Sequence, residues 1–168
     1  MILSEIRAGH TIFIDTNVLI YARTNRSIEC RQLLARCQAR DVNGVISGFV
    51  VAEFCHRRMM QEAQSFGRLS SNPARVLGQK PDVVRKLSVY ADDVRALLNG
   101  ELSLINTEEA DFAVALEFQN RFGLLTIDSI NLAVSRRLGI NEIATADANF
   151  DHIQGLTICK PGDLAQPI

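Results

Sequence analysis

Apolar and polar positions along the chain follow two different periods. Short apolar runs alternate with longer segments in which apolar residues recur at every third or fourth place. A short apolar run suits a strand buried on both faces, and the longer period suits a helix packed on one side. Residues 11–15 (TIFID), 44–47 (GVIS), 102–105 (LSLI), 142–145 (EIAT) and 156–159 (LTIC) read as strands. Residues 16–22, 27–40, 48–64, 81–99 and 127–138 read as helices. Thr107 is expected to cap a further helix, which opens with Glu108 and Glu109 and stops before Gly123. The clearest helix is 81–99, with Pro81 at its start, Gly100 past its end and an apolar stripe through Val83, Leu87, Tyr90, Val94 and Leu97. Strands interleaved with helices imply βαβ units, so the fold class is α/β with a mostly parallel sheet and helices on both faces. Residues 65–80 are the one loop-like stretch and read as an insertion within a single domain spanning 1–168.

The length of 168 residues fits one domain with a proper core, and 47% hydrophobic with 22% charged residues is the composition of a soluble globular protein. No apolar run is long enough to cross a bilayer, and the N-terminus lacks the apolar centre of a signal peptide. A cytoplasmic location without membrane attachment is expected. Cys30, Cys37, Cys55 and Cys159 form no C-x-x-C pair and read as reduced packing residues. The net charge of −1 gives the molecule no general attraction for nucleic acid. Its cations are nevertheless arginines except for Lys80, Lys86 and Lys160. Arginine is the side chain suited to bidentate phosphate contacts.

Four acids stand where acids are costly. Asp15 directly follows the first strand, and Asp147 lies just beyond the strand at 142–145. Ligands bind at the carboxyl ends of strands in open parallel sheets. Glu53 and Asp128 interrupt apolar helical runs, in SGFVVAEF and LLTIDSINLAV. Each acid has a structural explanation: Asp15 and Asp147 as caps or turn formers, Asp128 in a first helical turn, Glu53 paired with Arg57. A shared divalent cation would compensate all four at once, and Mg²⁺ prefers such oxygen ligands.

These segments carry a resemblance to the PIN-domain ribonucleases. FIDTNVLIYA resembles that family's opening motif, SGFVVAEF its second, LLTIDSINLAVSRRLGI its third and IATADANFDHIQG its fourth. The order and spacing agree over nearly the whole chain. The resemblance implies a three-layer α/β/α sandwich and a metal-dependent endoribonuclease using Mg²⁺ or Mn²⁺. It implies Asp15, Glu53, Asp128 and Asp147 as the acidic, metal-binding and catalytic cluster, with Asn17 and Thr145 in support. Asp151 reads equally as a fifth acid or a turn residue. Many small stand-alone members are VapC-like toxins of bacterial toxin–antitoxin pairs, which implies a cognate antitoxin as partner. Basic residues must flank an acidic site that takes RNA, and Arg23, Arg26, Arg57, Arg58, Arg136 and Arg137 are the candidates. Apolar helices such as 81–99 also offer a surface for a homodimer, although core burial explains that stripe equally well.

Two other classes compete. A signalling receiver also has an acidic α/β site, and Lys160-Pro161 follows a late strand as it does in receivers. The middle strand, however, ends in Asn106 and Thr107 instead of a phosphoacceptor aspartate. A catalytically silent module that binds RNA or protein is the second alternative. Phosphate-binding glycine loops are absent, and His10, His56 and His152 are tied to no nucleophile.

Overall fold

The computed structural model describes residues 1–66 and 73–164. Five strands, β1 (Thr11–Ile14), β2 (Asn43–Ser47), β3 (Ser103–Ile105), β4 (Glu142–Ala144) and β5 (Thr157–Cys159), form one sheet in the order β3-β2-β1-β4-β5. Every pairing is parallel. Ile12, Phe13, Ile14, Val45, Ile46, Ile143 and Ala144 are buried, as expected of strands covered on both faces. The observed order differs from the 2-1-3-4-5 order of a receiver-type sheet, which removes that alternative.

Between β1 and β2 lie α1 (Thr16–Arg23) and α2 (Ile28–Gln38). Between β2 and β3 lie α3 (Gly48–Ser65), α4 (Pro73–Gly78), α5 (Pro81–Val84), α6 (Val89–Ala96) and a wide turn, Leu97–Glu101. A helical hairpin, α7 (Glu109–Phe122) and α8 (Thr126–Arg137), carries the chain from edge strand β3 to β4. Parallel crossovers are right-handed. The crossovers from β1 to β2 and from β2 to β3 run one way along the sheet and the crossover from β3 to β4 runs the other way, so α1–α6 and the α7–α8 hairpin fall on opposite faces. The result is a three-layer α/β/α sandwich. The reversal occurs between β1 and β4, and a crevice is expected to open there at the strands' carboxyl ends. Gly123 (φ +67°) and Gly139 (φ +69°) end α7 and α8 in the left-handed conformation that glycine adopts without strain. No described helix is long and apolar enough to cross a membrane.

Three expectations from sequence are corrected. The segment 81–99 is not one helix: α5 and α6 are separated at residues 85–88. The carboxylate of Glu62, on α3, accepts the backbone N–H groups of Ser88, Val89 and Tyr90 and so starts α6 from outside. Leu87 is meanwhile buried with Ala63 and Leu77 in a small second cluster. The stretch 65–80 is not loop throughout, because Pro73–Gly78 is helical and supplies Leu77 to that cluster; residues 67–72 lie outside the described residues. Finally, Glu108 rather than Thr107 precedes α7, and its N–H donates to the Asp111 carboxylate at 2.8 Å.

Candidate metal centre

β1 ends at Ile14, and Asp15 caps α1, its Oδ1 accepting the Thr16 N–H at 2.7 Å. The capping reading of Asp15 is therefore true, but it uses only one carboxylate oxygen. The other, Oδ2, accepts the Thr145 hydroxyl at 2.6 Å and the Asn17 side-chain amide. Thr145 follows β4, and the Asp15 N–H donates to Ala144 across the β1–β4 junction. Asn17 also donates to Thr145 Oγ1 at 2.9 Å and accepts the Ala146 N–H. Thr145 Oγ1 in turn accepts the Asp147 N–H at 3.0 Å. A single network therefore ties Asp15 to the loop that carries Asp147 at the point where the sheet reverses.

Asp147 caps a short 3₁₀ turn, Ala148–Phe150, and accepts the Asn149 N–H at 2.8 Å. Glu53 projects from α3, receives the Thr16 hydroxyl at 2.8 Å and lies 3.5 Å from Arg57. Asp128 sits in the first turn of α8, half-buried. No hydrogen bond or ion pair to Asp128 is found among the described residues. The helices carrying Glu53 and Asp128 are pinned together by Ser47, whose hydroxyl donates to Asn131 Oδ1 at 2.7 Å in a fully buried contact.

The four acids sense one another. Burial pushes the Asp15 carboxyl up to about 6, helped by the charges of Glu53 and Asp147 and opposed by the bonds from Thr145 and Thr16. Asp128 is likewise raised to about 6, first by burial and then by Asp15, Asp147 and Glu53. The cluster is loose: among the described residues no three His, Cys, Asp or Glu side chains converge tightly enough to cage an ion as they stand. Its chemistry still fits a hard divalent cation. All donors are carboxylate oxygens, and Asp128, half-buried and without a bonded partner among the described residues, is open to water, a proton or an ion.

The chain belongs to the PIN domain family. The family's sequence profile matches residues 12–156, and those residues hold all four acids. Among solved structures, this PIN domain is similar to VapBC2 from Rickettsia felis, at 13% identity over 89% of this chain and 98% of that chain, with a TM-score of 0.60. It is similar to a toxin–antitoxin complex from Klebsiella pneumoniae, at 17% identity over 89% and 97%, with a TM-score of 0.54. It also resembles VapC20 from Mycobacterium tuberculosis, a Sarcin-Ricin loop cleaving toxin, at 16% identity over 83% and 92%, with a TM-score of 0.55. At such identities the likeness speaks for the fold. No curated protein matches the chain in sequence.

The other candidates fall elsewhere. Asp151 is exposed and pairs with Lys160 at 2.6 Å. Arg58 pairs with Asp93 at 2.7 Å. Arg137 pairs with Asp111 and Glu108 and donates to the Asn106 carbonyl. Arg136 binds Asn141 and the carbonyls of Gln154 and Gly155. Arg26 is exposed and lies 4.9 Å from the centre of the Tyr21 ring, and Arg23 is half-buried on α1. Sequence reasoning overlooked Thr16 as the partner of Glu53, and it missed the Ser47–Asn131 tie. Ser47 was legible as a possible helix cap beside the second motif, which it is, and Asn131 as a polar residue inside the apolar run of α8.

Proposed function

We propose that this PIN domain is a metal-dependent endoribonuclease and the toxin of a toxin–antitoxin pair. The observation that carries the reading is the placement of Asp15 and Asp147 on either side of the sheet's reversal point, with Glu53 and Asp128 electrostatically coupled to them. Asp15 and Asp147 would hold a Mg²⁺ or Mn²⁺ ion directly, and Glu53 and Asp128 would complete its surroundings or orient water. A divalent ion supplies Lewis-acid activation of water and neutralises charge at a phosphodiester. The protein's own part is positioning. Thr145 and Asn17 fix the Asp15 carboxylate, and Thr16 with Arg57 fixes Glu53. Asp128, without a hydrogen-bonding partner among the described residues, remains available to water or an ion.

The toxin role is supported by the structures from Rickettsia felis and Klebsiella pneumoniae, which are toxin–antitoxin assemblies. RNA as substrate is supported by the cleaving toxin from Mycobacterium tuberculosis. A silent binding module is the second reading, favoured by the loose spacing of the acids. A mixed pool of single-stranded and structured RNA, incubated with Mg²⁺ or Mn²⁺ and with EDTA, separates the two. Cleavage that needs the ion and disappears in Asp147→Asn supports the nuclease; intact RNA under every metal supports the binding module.

A further inference from the structure

A second polar cavity, of about 500 Å³, opens beside α7 and α8 and is lined by Phe118, Arg121, Phe122, Arg136, His152 and Gln154. It has two guanidinium groups and a histidine in its wall and no carboxylate. On a molecule of net charge −1 this is a local concentration of positive charge. Among the described residues the guanidinium of Arg136 is held in place by neutral partners, namely Asn141 and two backbone carbonyls, and none of them compensates its charge. Arg121 is exposed, has no ion-pair partner among the described residues and lies 5.0 Å from the centre of the Phe122 ring. Phe118 and Phe122 pack at 5.5 Å, and His152 meets Phe122 edge-on at 6.4 Å. His152 Nε2 lies 3.0 Å from the Phe122 carbonyl, which can only accept, so that nitrogen carries hydrogen.

The cavity is built on the same chain segments that carry two of the acids, α8 with Asp128 and the loop after β4 with Asp147. His152 lies five residues past Asp147, on the same loop. Gln119, one residue past Phe118, donates to the hydroxyl of Ser129, the neighbour of Asp128, at 3.1 Å. We propose that this cavity is a nucleotide subsite, which takes one base of single-stranded RNA against Phe122 and His152 and its phosphate on Arg121 and Arg136. Aromatic platforms flanked by arginine are the usual means of holding an unpaired nucleotide. The subsite gives an acidic catalytic centre the attraction for RNA that the whole-molecule charge withholds. It rests on the nuclease reading for its purpose, but its binding can be measured without cleavage.

The test uses Arg121→Glu and His152→Ala, with thermal melts to confirm folding and Arg121→Lys as the conservative control. Binding of a fluorescein-labelled single-stranded hexaribonucleotide is read by anisotropy in an Asp147→Asn background, and KM and kcat are read on the cleavage-competent protein. Affinity should fall roughly tenfold in Arg121→Glu and recover in Arg121→Lys, with KM raised and kcat little changed. Metal-dependent cleavage with unchanged affinity and KM in both variants would overturn the subsite and leave the nuclease standing. Binding that responds to the variants without cleavage under any metal would keep the subsite and remove the nuclease. Absence of both binding and cleavage would remove both.

Discussion

At the residue scale, the acids sit where they weaken the folded protein. Asp15 and Asp128 have folded pKa values of about 6, above the ordinary value of 3.8. Between those values the folded chain holds more protons than the unfolded one, so this part of the stability falls as pH rises through the window and is fully lost above about 6. Removing one charge should relieve the penalty. Asp128→Asn is expected to be more stable than wild type by about 1–2 kcal/mol near neutral pH, after discounting for its partial exposure. The gain should vanish near pH 4, where wild-type Asp128 is already protonated. Urea denaturation in EDTA at both pH values checks this, and an equal gain at both would show that charge is not the cause. These acids were legible in the sequence because each one breaks an apolar run or ends a strand. The supports at Asn17 and Thr145 came only through the family resemblance, and the Glu53–Arg57 pair through its local spacing, whereas the tie between Ser47 and Asn131, 84 positions apart, came through neither. No local pattern links such a pair until the sheet order is known.

At the element scale, period and stop signals carried the strands and most helices, because those features are local. The helix at 81–99 failed for the complementary reason. Its apolar stripe is continuous, but the chain breaks where Glu62, 26 positions before Ser88, captures three backbone N–H groups. The bonds to Tyr90, Ser88 and Val89, with the charge of Arg58, hold the Glu62 carboxyl below its usual value despite the opposing effect of burial. Glu62→Ala should therefore lower stability by about 1 kcal/mol or somewhat more, the cost of losing a helix cap. Hydrogen exchange should rise at residues 88–90 while metal-dependent cleavage is unchanged; unaltered protection there would mean that α6 starts without Glu62. Arg137 makes the same kind of link for the α7–α8 hairpin. Asp111 is 2% exposed and bonded to Arg137 through two nitrogens. Arg137→Met should strand that carboxylate and lower the melting temperature by several degrees. RNA affinity should stay unchanged once the variant is compared well below its melting point, and a selective loss of affinity would return Arg137 to the RNA-binding surface.

At the scale of the whole molecule, the sheet order predicts that stability and cation binding should be linked. Because the chain reverses between β1 and β4, four acids from distant segments come near enough to repel one another. A ligand that binds the folded state alone stabilises it by mass action, by roughly 2.7 kcal/mol at a hundred times its dissociation constant. Mg²⁺ or Mn²⁺ should therefore raise the melting temperature by several degrees near neutral pH, where Asp15 and Asp128 are largely ionised. The rise should shrink near pH 5, because both carboxyls then hold protons that the ion must displace. Asp128→Asn should melt higher than wild type in EDTA and gain less from the ion, so the two curves should approach each other as cation is added. Differential scanning calorimetry over a cation titration at the two pH values tests the whole argument. A melting temperature indifferent to both ions at either pH would mean that the acids do not share a cation. The crevice between β1 and β4 would then be a binding surface and not a hydrolytic centre.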